Sequence, residues 1–227
     1  MQQRRPRELR IIAGEWRGRK LRFPAQTSIR PTPDRVRETL FNWIGPRIRG
    51  VHALDLFAGS GVLGLEALSR GAAAVTFVDS DPRAVQALRE RLVEWGAQGG
   101  TVVRAEAQAF VAAGVRRVAE AGGAAEKIGA GGAAEITADA GRVVAGQFGL
   151  VFLDPPFAAG LLSPIAQALE SGGWLAPGAL LYVEAAAADR LPAWPADWEL
   201  LRSGQAGAVG YHLLRRAGRH LGTGQPT

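Results

Sequence analysis

From Val51 onward the chain alternates short apolar runs with helix-patterned segments, and that rhythm admits few folds. Ala53–Phe57 reads as a first strand, Ala58–Gly61 as a small-residue loop and Val62–Ser69 as a helix. Ala74–Val78 is a second strand, ending at Asp79-Ser80-Asp81-Pro82 and followed by a helix to about Glu94. Thr101–Arg104, Leu150–Leu153 and Gly178–Glu184 continue the series, with Ala107–Val111 opening another helix. Trp198–Arg202 and Val209–Leu214, separated by Gly204–Gly207, form a closing hairpin. Strands that are apolar throughout and separated by helices cannot sit on a half-solvated sheet. The pattern therefore predicts an α/β fold, a mostly parallel seven-stranded sheet with helices on both faces.

The fourth run stops abruptly at Asp154-Pro155-Pro156-Phe157. Each proline lacks an N–H and holds φ near a fixed value, so the chain leaves the sheet rigidly with carbonyls that no neighbouring strand claims. Such a corner offers a carboxylate, carbonyl oxygens and an aromatic face. These are the groups that hold a planar base by its amino group.

Asp55-Leu56-Phe57-Ala58-Gly59-Ser60-Gly61 places small residues where a strand turns into a helix, so a ligand can approach backbone N–H groups at the carboxyl edge of the sheet. Gly59, Gly61 and Gly64 fit GxGxxG, and Asp79 follows where an acid can bond ribose hydroxyls, which also admits a nicotinamide dinucleotide. Two features favour S-adenosylmethionine. Asp55 would crowd a pyrophosphate but could receive a methionine ammonium, and hydride transfer has no evident use for the Asp-Pro-Pro-Phe corner.

The basic charge is unevenly distributed. Residues 1–49 carry 13 Arg/Lys against 4 Asp/Glu, a balance of +9, whereas residues 50–227 carry 14 against 17. A concentrated positive field suits a polyanion. Within this segment Arg10–Ala13 and Arg19–Phe23 read as a hairpin with a positive face. A helix from Arg35 to about Ile44, capped by Thr32 or Asp34, buries Val36, Leu40, Phe41 and Ile44 and leaves Arg35, Arg37 and Glu38 elsewhere. Cysteine is absent and the histidines are His52, His212 and His220, which removes thiolate chemistry and a Cys/His zinc site, so no metal is expected. No apolar run has the length of a membrane span and Met1–Arg7 has no apolar signal core behind it, so a cytoplasmic protein is expected. The expected organisation is a basic extension over 1–49, a catalytic domain over 50–216 and a frayed tail over 217–227. A Gly/Ala-rich insertion interrupts the domain at about 114–146.

On these residues the chain resembles the class I methyltransferases, whose fold is Rossmann-like. Within them it resembles the RsmD family of 16S ribosomal RNA guanine-N2 methyltransferases. Arg10–Gly14, Trp16–Arg19, Arg30-Pro31-Thr32, Asp34–Trp43 and Leu54–Gly71 carry the specific likeness, which returns from Phe148 to about Leu214. The resemblance implies S-adenosyl-L-methionine as methyl donor. Asp55, Phe57, Ala58, Gly59 and Gly61 would lie on its methionine and backbone side, Asp79 or Asp81 at the ribose, and Glu106 with Ala107 at the adenine. Asp154, Pro155, Pro156 and Phe157 would form the target-base site. Arg17, Arg19, Lys20, Arg30, Arg35 and Arg37 would grip RNA, with Trp16 as a stacking residue. The implied partner is 16S rRNA within an assembling small subunit; a monomer is expected. Glu66 reads as solvent-facing and His212 as structural. A DNA or RNA adenine/cytosine amino-methyltransferase, and an RNA-binding assembly factor without catalysis, remain open.

Overall fold

The computed structural model describes residues 7–23, 32–113 and 148–218. Arg30, the insertion over 114–146 and the end of the tail lie outside them. In chain order the elements are β1 (Arg7–Arg10), β2 (Lys20–Phe23), α1 (Asp34–Ile44), β3 (His52–Asp55), α2 (Val62–Ser69), β4 (Ala74–Asp79), α3 (Pro82–Trp95) and β5 (Gly100–Arg104). Residues 107–113 are helical and are labelled α4. Then come β6 (Phe148–Leu153), α5 (Leu162–Ser171), β7 (Leu175–Ala186), β8 (Trp198–Ala206) and β9 (Val209–Arg216).

Seven strands form one sheet in the order β5-β4-β3-β6-β7-β9-β8, with β3 to β7 mutually parallel and β9 antiparallel to both of its neighbours. Each parallel strand is apolar on both faces, and alternate residues enter different layers. Ala53, Phe77, Leu150, Phe152, Leu180 and Tyr182 pack on one side with α1, α2 and α3. Leu54, Val78, Val151, Leu153, Leu181 and Val183 pack on the other with α4 and α5. That two-residue alternation is why continuous apolar runs, rather than half-polar ones, build these strands. The strand order reverses between β3 and β6, which opens a crevice at their carboxyl ends.

The helix ends follow local chemistry in part. Asp81 caps α3 by accepting the Arg83 N–H at 2.9 Å, Pro82 follows in the first turn, and Gly96 closes the helix in the left-handed region. At α1 the expected cap does not form. The helix starts after Pro33 with no side-chain cap, because the Thr32 hydroxyl is turned away to Glu184.

The basic extension is not draped loosely over this body. Ile11, Trp16 and Leu21 join the core layer of α1, α2 and α3. β1 and β2 pair antiparallel with Arg10 opposite Lys20, so the hairpin reaches further toward the N-terminus than the sequence pattern indicates. Its turn is clamped to the end of α2: the Glu15 and Trp16 N–H groups donate to Ser69 O and Oγ at 2.8 and 2.9 Å, and Ser69 Oγ donates to Ala13 O at 2.6 Å. Gly14 is required here, since its φ is 85° and a Cβ would lie 1.8 Å from Ser69 O.

Candidate active site

β3 ends in Asp55, and the chain then turns tightly through Gly59 and Gly61 into α2. Gly61 has φ 73° and a Cβ there would lie 2.1 Å from Leu88 Cδ2, so a side chain at this turn would strain the backbone and displace Leu88 of α3. Two carboxylates brace the turn from below. Asp79 Oδ2 accepts the Gly59 N–H at 2.7 Å, and Asp55 Oδ2 accepts the Gly64 N–H at 3.0 Å.

A cleft of about 540 Å³ opens above this edge. Phe57, Gly59, Asp79, Asp81, Glu106 and Ala107, at the carboxyl ends of β3, β4 and β5, line it together with Asp154, Pro155, Pro156 and Phe157, which follow β6. The structure thus brings ten of the expected site residues into a single cavity. Asp55, Ala58 and Gly61 are buried behind the wall. Asp55 is only 3% exposed, so any effect on a ligand is exerted through the loop and its charge. Burial pushes its carboxyl up to about 7, opposed by the Gly64 N–H and reinforced by the Asp79 charge. Asp79 is also raised, by burial first, against the hydrogen bonds from Asp81 and Gly59. Asp81 is lowered by the Arg83 N–H it caps, so its carboxylate already serves α3 while standing at the cleft.

Phe157 opens a short 3-10 turn over Phe157–Ala159, closed by the Ala159 N–H on Pro156 O at 3.0 Å. Pro155 is buried, Pro156 exposed and Phe157 half-buried, which leaves the ring on the cavity wall.

The sequence pattern missed Thr32, Pro33, Glu184 and Val209, which line the same cleft. Glu184 had a visible signal. Like Asp55, Asp79 and Asp154, it is an acid at or near the carboxyl end of a parallel strand. A row of carboxylates along the edge disfavours a pyrophosphate and suits a cationic ligand.

Three expectations for the basic extension and the helix it docks on need correction. Arg37 is fully buried and cannot grip RNA: its Nη2 donates to Arg10 O at 3.0 Å and Asp34 Oδ1 at 2.6 Å, and its Nη1 lies 3.4 Å from Glu66 Oε2. It falls at i, i+3, i+4 and i+7 with Leu40, Phe41 and Ile44, squarely on the apolar face of α1. Glu66, read as solvent-facing, is equally buried and receives the Ile12 and Ala13 N–H groups at 2.8 and 3.0 Å and Arg70 Nε at 2.7 Å. Trp16 is 5% exposed and packs on Trp95 with centroids 5.4 Å apart, which removes it as a stacking platform for RNA. Arg17, Arg19, Lys20 and Arg35 are exposed, with Arg19 over the Trp95 ring and Lys20 paired to Glu8 at 2.9 Å. His212 bonds Ser203 Oγ at 2.9 Å, well inside a strand pair.

The sheet order, the glycine turn on acidic braces and the cleft at the switch point are those of a class I methyltransferase fold. More narrowly, the family model described as Conserved hypothetical protein 95 matches residues 9–128 and 124–215, and the chain belongs to that family. Ribosomal RNA small subunit methyltransferase D of Escherichia coli strain K12 is 43% identical over 92% of this chain and 90% of its own length. The protein of the same name from Haemophilus influenzae is 36% identical over 92% and 94% respectively. A solved structure, a putative methyltransferase yhhF from Escherichia coli, superposes with a TM-score of 0.73 at 41% identity, covering 92% of this chain and 98% of that one. These likenesses agree with the resemblance carried by the Arg-rich blocks and the Asp-Pro-Pro-Phe corner.

Proposed function

We propose that this protein methylates the exocyclic N2 amine of a guanine in small-subunit ribosomal RNA, using S-adenosyl-L-methionine. The observation that carries the reading is the single cleft in which the Asp154–Phe157 corner faces the glycine turn and its acidic strand ends. The names of the relatives support ribosomal RNA as the substrate class. The exposed Arg17, Arg19, Lys20 and Arg35 supply the phosphate-neutralising surface, and the work falls in the cytoplasm.

The residues present fit the methyl donor. Carboxylates at Asp79 and Glu106 can accept from ribose hydroxyls and an adenine amine, while Asp55 offsets positive charge from beneath the loop. When bound, S-adenosylmethionine supplies an electrophilic methyl on a sulfonium sulfur. Asp154 and the Pro155 carbonyl accept the two N–H bonds of the target amine, which favours a pyramidal nitrogen and directs its lone pair toward the donor end. Phe157 stacks on the base. Extrusion of the base costs a few kcal/mol, offset by this stacking and by phosphate contacts. Positioning supplies much of the rate, and Asp154 need not be a strong base because the proton becomes acidic once the nitrogen is alkylated.

Transfer of tritiated methyl groups to naked rRNA, assembled small subunits and DNA tests the proposal. Incorporation into N2-methylguanine of rRNA or of subunits is expected, and incorporation into DNA alone would overturn it. Asp154→Ala should abolish transfer with cofactor affinity nearly unchanged. Loss of cofactor binding in a folded variant would refute the assignment of Asp154 to the acceptor end.

A further inference from the structure

Glu184 stands in the acceptor end of the cleft, yet neither the transfer of the methyl group nor the grip on the amine calls on it. β6 and β7 run parallel with Phe152 beside Tyr182 and Leu153 beside Val183, so the register continued by one sets Asp154 beside Glu184. Phe152 and Tyr182 share one core layer. Strand alternation therefore sends both carboxylates to that same face, from backbones about 4.8 Å apart. Glu184 is 4% exposed and its orientation is held from two sides. Thr32 Oγ1 donates to its Oε1 at 2.7 Å, and Tyr182 Oη donates to the same oxygen at 2.8 Å. Tyr182 is a dependable donor, because burial and the adjacent Glu184 charge push its hydroxyl well above the ordinary phenol range. Two donors on one oxygen fix the plane of the carboxyl group.

A buried carboxylate in a base site selects by hydrogen-bond polarity, because it only accepts. Adenine and cytosine place an acceptor ring nitrogen next to the exocyclic amine, and a carboxylate repels it. Guanine places a donor, N1–H, beside its N2 amine. We infer that Glu184 is the base-selecting residue, accepting guanine N1–H while Asp154 and Pro155 hold the adjacent amine. The inference rests on the reading of the Asp154 corner as the acceptor site, and it adds the reason that site takes guanine. Thr32 and Tyr182 are its positioning residues.

Once the methylated guanosine is mapped by mass spectrometry, small subunits are assembled with 2-aminopurine riboside at that position. This base keeps the N2 amine but has an acceptor at N1. Wild-type protein should prefer guanine by roughly 10⁴-fold in kcat/KM, as a site built around a substrate N–H rejects analogues lacking it. In Glu184→Gln the amide oxygen takes the two hydroxyls and the amide N–H turns to the base. Activity on guanine should then fall at least tenfold and the preference should collapse or reverse. A preference near unity for the wild type overturns the inference even if the variant fails to fold. Equal loss on both bases, with cofactor affinity intact, overturns it as well and leaves Glu184 only structural. Wild-type methylation of adenine or cytosine refutes both this inference and the guanine assignment, whereas no methylation of rRNA or subunits refutes the proposed function itself.

Discussion

Glu66→Gln removes one charge from the buried cluster that docks the basic extension on α2, with almost no change in volume. The native carboxylate serves four donors, two on each oxygen: Ile12 N–H and Arg37 on Oε2, Ala13 N–H and Arg70 on Oε1. An amide accepts at one end only, so either flip turns an NH2 toward a backbone N–H and a guanidinium. Arg37 and Glu66 both have fully buried side chains, and removing one partner of such a pair costs about 3–5 kcal/mol. The stranded N–H accounts for about 1–3 kcal/mol of that cost. A net loss of about 4 kcal/mol is expected, a large share of the 5–15 kcal/mol typical of a folded protein. For a chain of this size it lowers Tm by roughly 8–16 °C. Equilibrium urea unfolding, with the m-value checked for constancy, measures it. Arg37→Met with Glu66→Leu should recover part of the loss but not all, since Ile12 and Ala13 keep unmatched donors. A Glu66→Gln protein within 1 kcal/mol of wild type, or one whose loss is unchanged in an Arg37→Met background, would refute the reasoning.

Three further outcomes follow from Asp55 and from the exposed cations of the extension. Burial raises Asp55 from 3.8 to about 7, so the native state binds more protons than the unfolded chain across that window. Stability of the ligand-free protein should accordingly fall as pH rises from about 4 to 7 and then level off. A cationic cofactor favours the ionised form, so its affinity should increase about tenfold between pH 6 and pH 8, with proton release visible by calorimetry in buffers of different ionisation enthalpy. A flat profile, or one unchanged in Asp55→Asn, would contradict this. Replacing Arg17 and Lys20 with Gln should weaken RNA binding and reduce the salt slope by roughly 0.7–0.9 for each phosphate no longer neutralised, while cofactor affinity stays constant. An unchanged slope would place the RNA elsewhere.

The fold and half of the site were legible because they are written in local patterns. Apolar runs at Leu150–Leu153 and, Thr76 apart, at Ala74–Val78 have no alternative to a strand buried on both faces, and alternate residues do enter the two core layers. Glycines after Asp55 and prolines after Asp154 act through their own backbones, so their effect travels with the residue. Arg37, Glu66, Trp16 and Glu184 have no such independence. An arginine and a glutamate 29 residues apart look solvated on their own helices, and burial becomes tolerable only when each meets the other. Thr32 reads as a helix cap until Glu184, 152 residues on, takes its hydroxyl. Thus the amino-acid sequence alone determined the α/β layering, the glycine turn and the Asp154-Pro155-Pro156-Phe157 corner. Tertiary structure alone decided which charges face solvent and which acid stands beside Asp154, because a buried polar group is placed by the partner that satisfies it rather than by its neighbours in the chain.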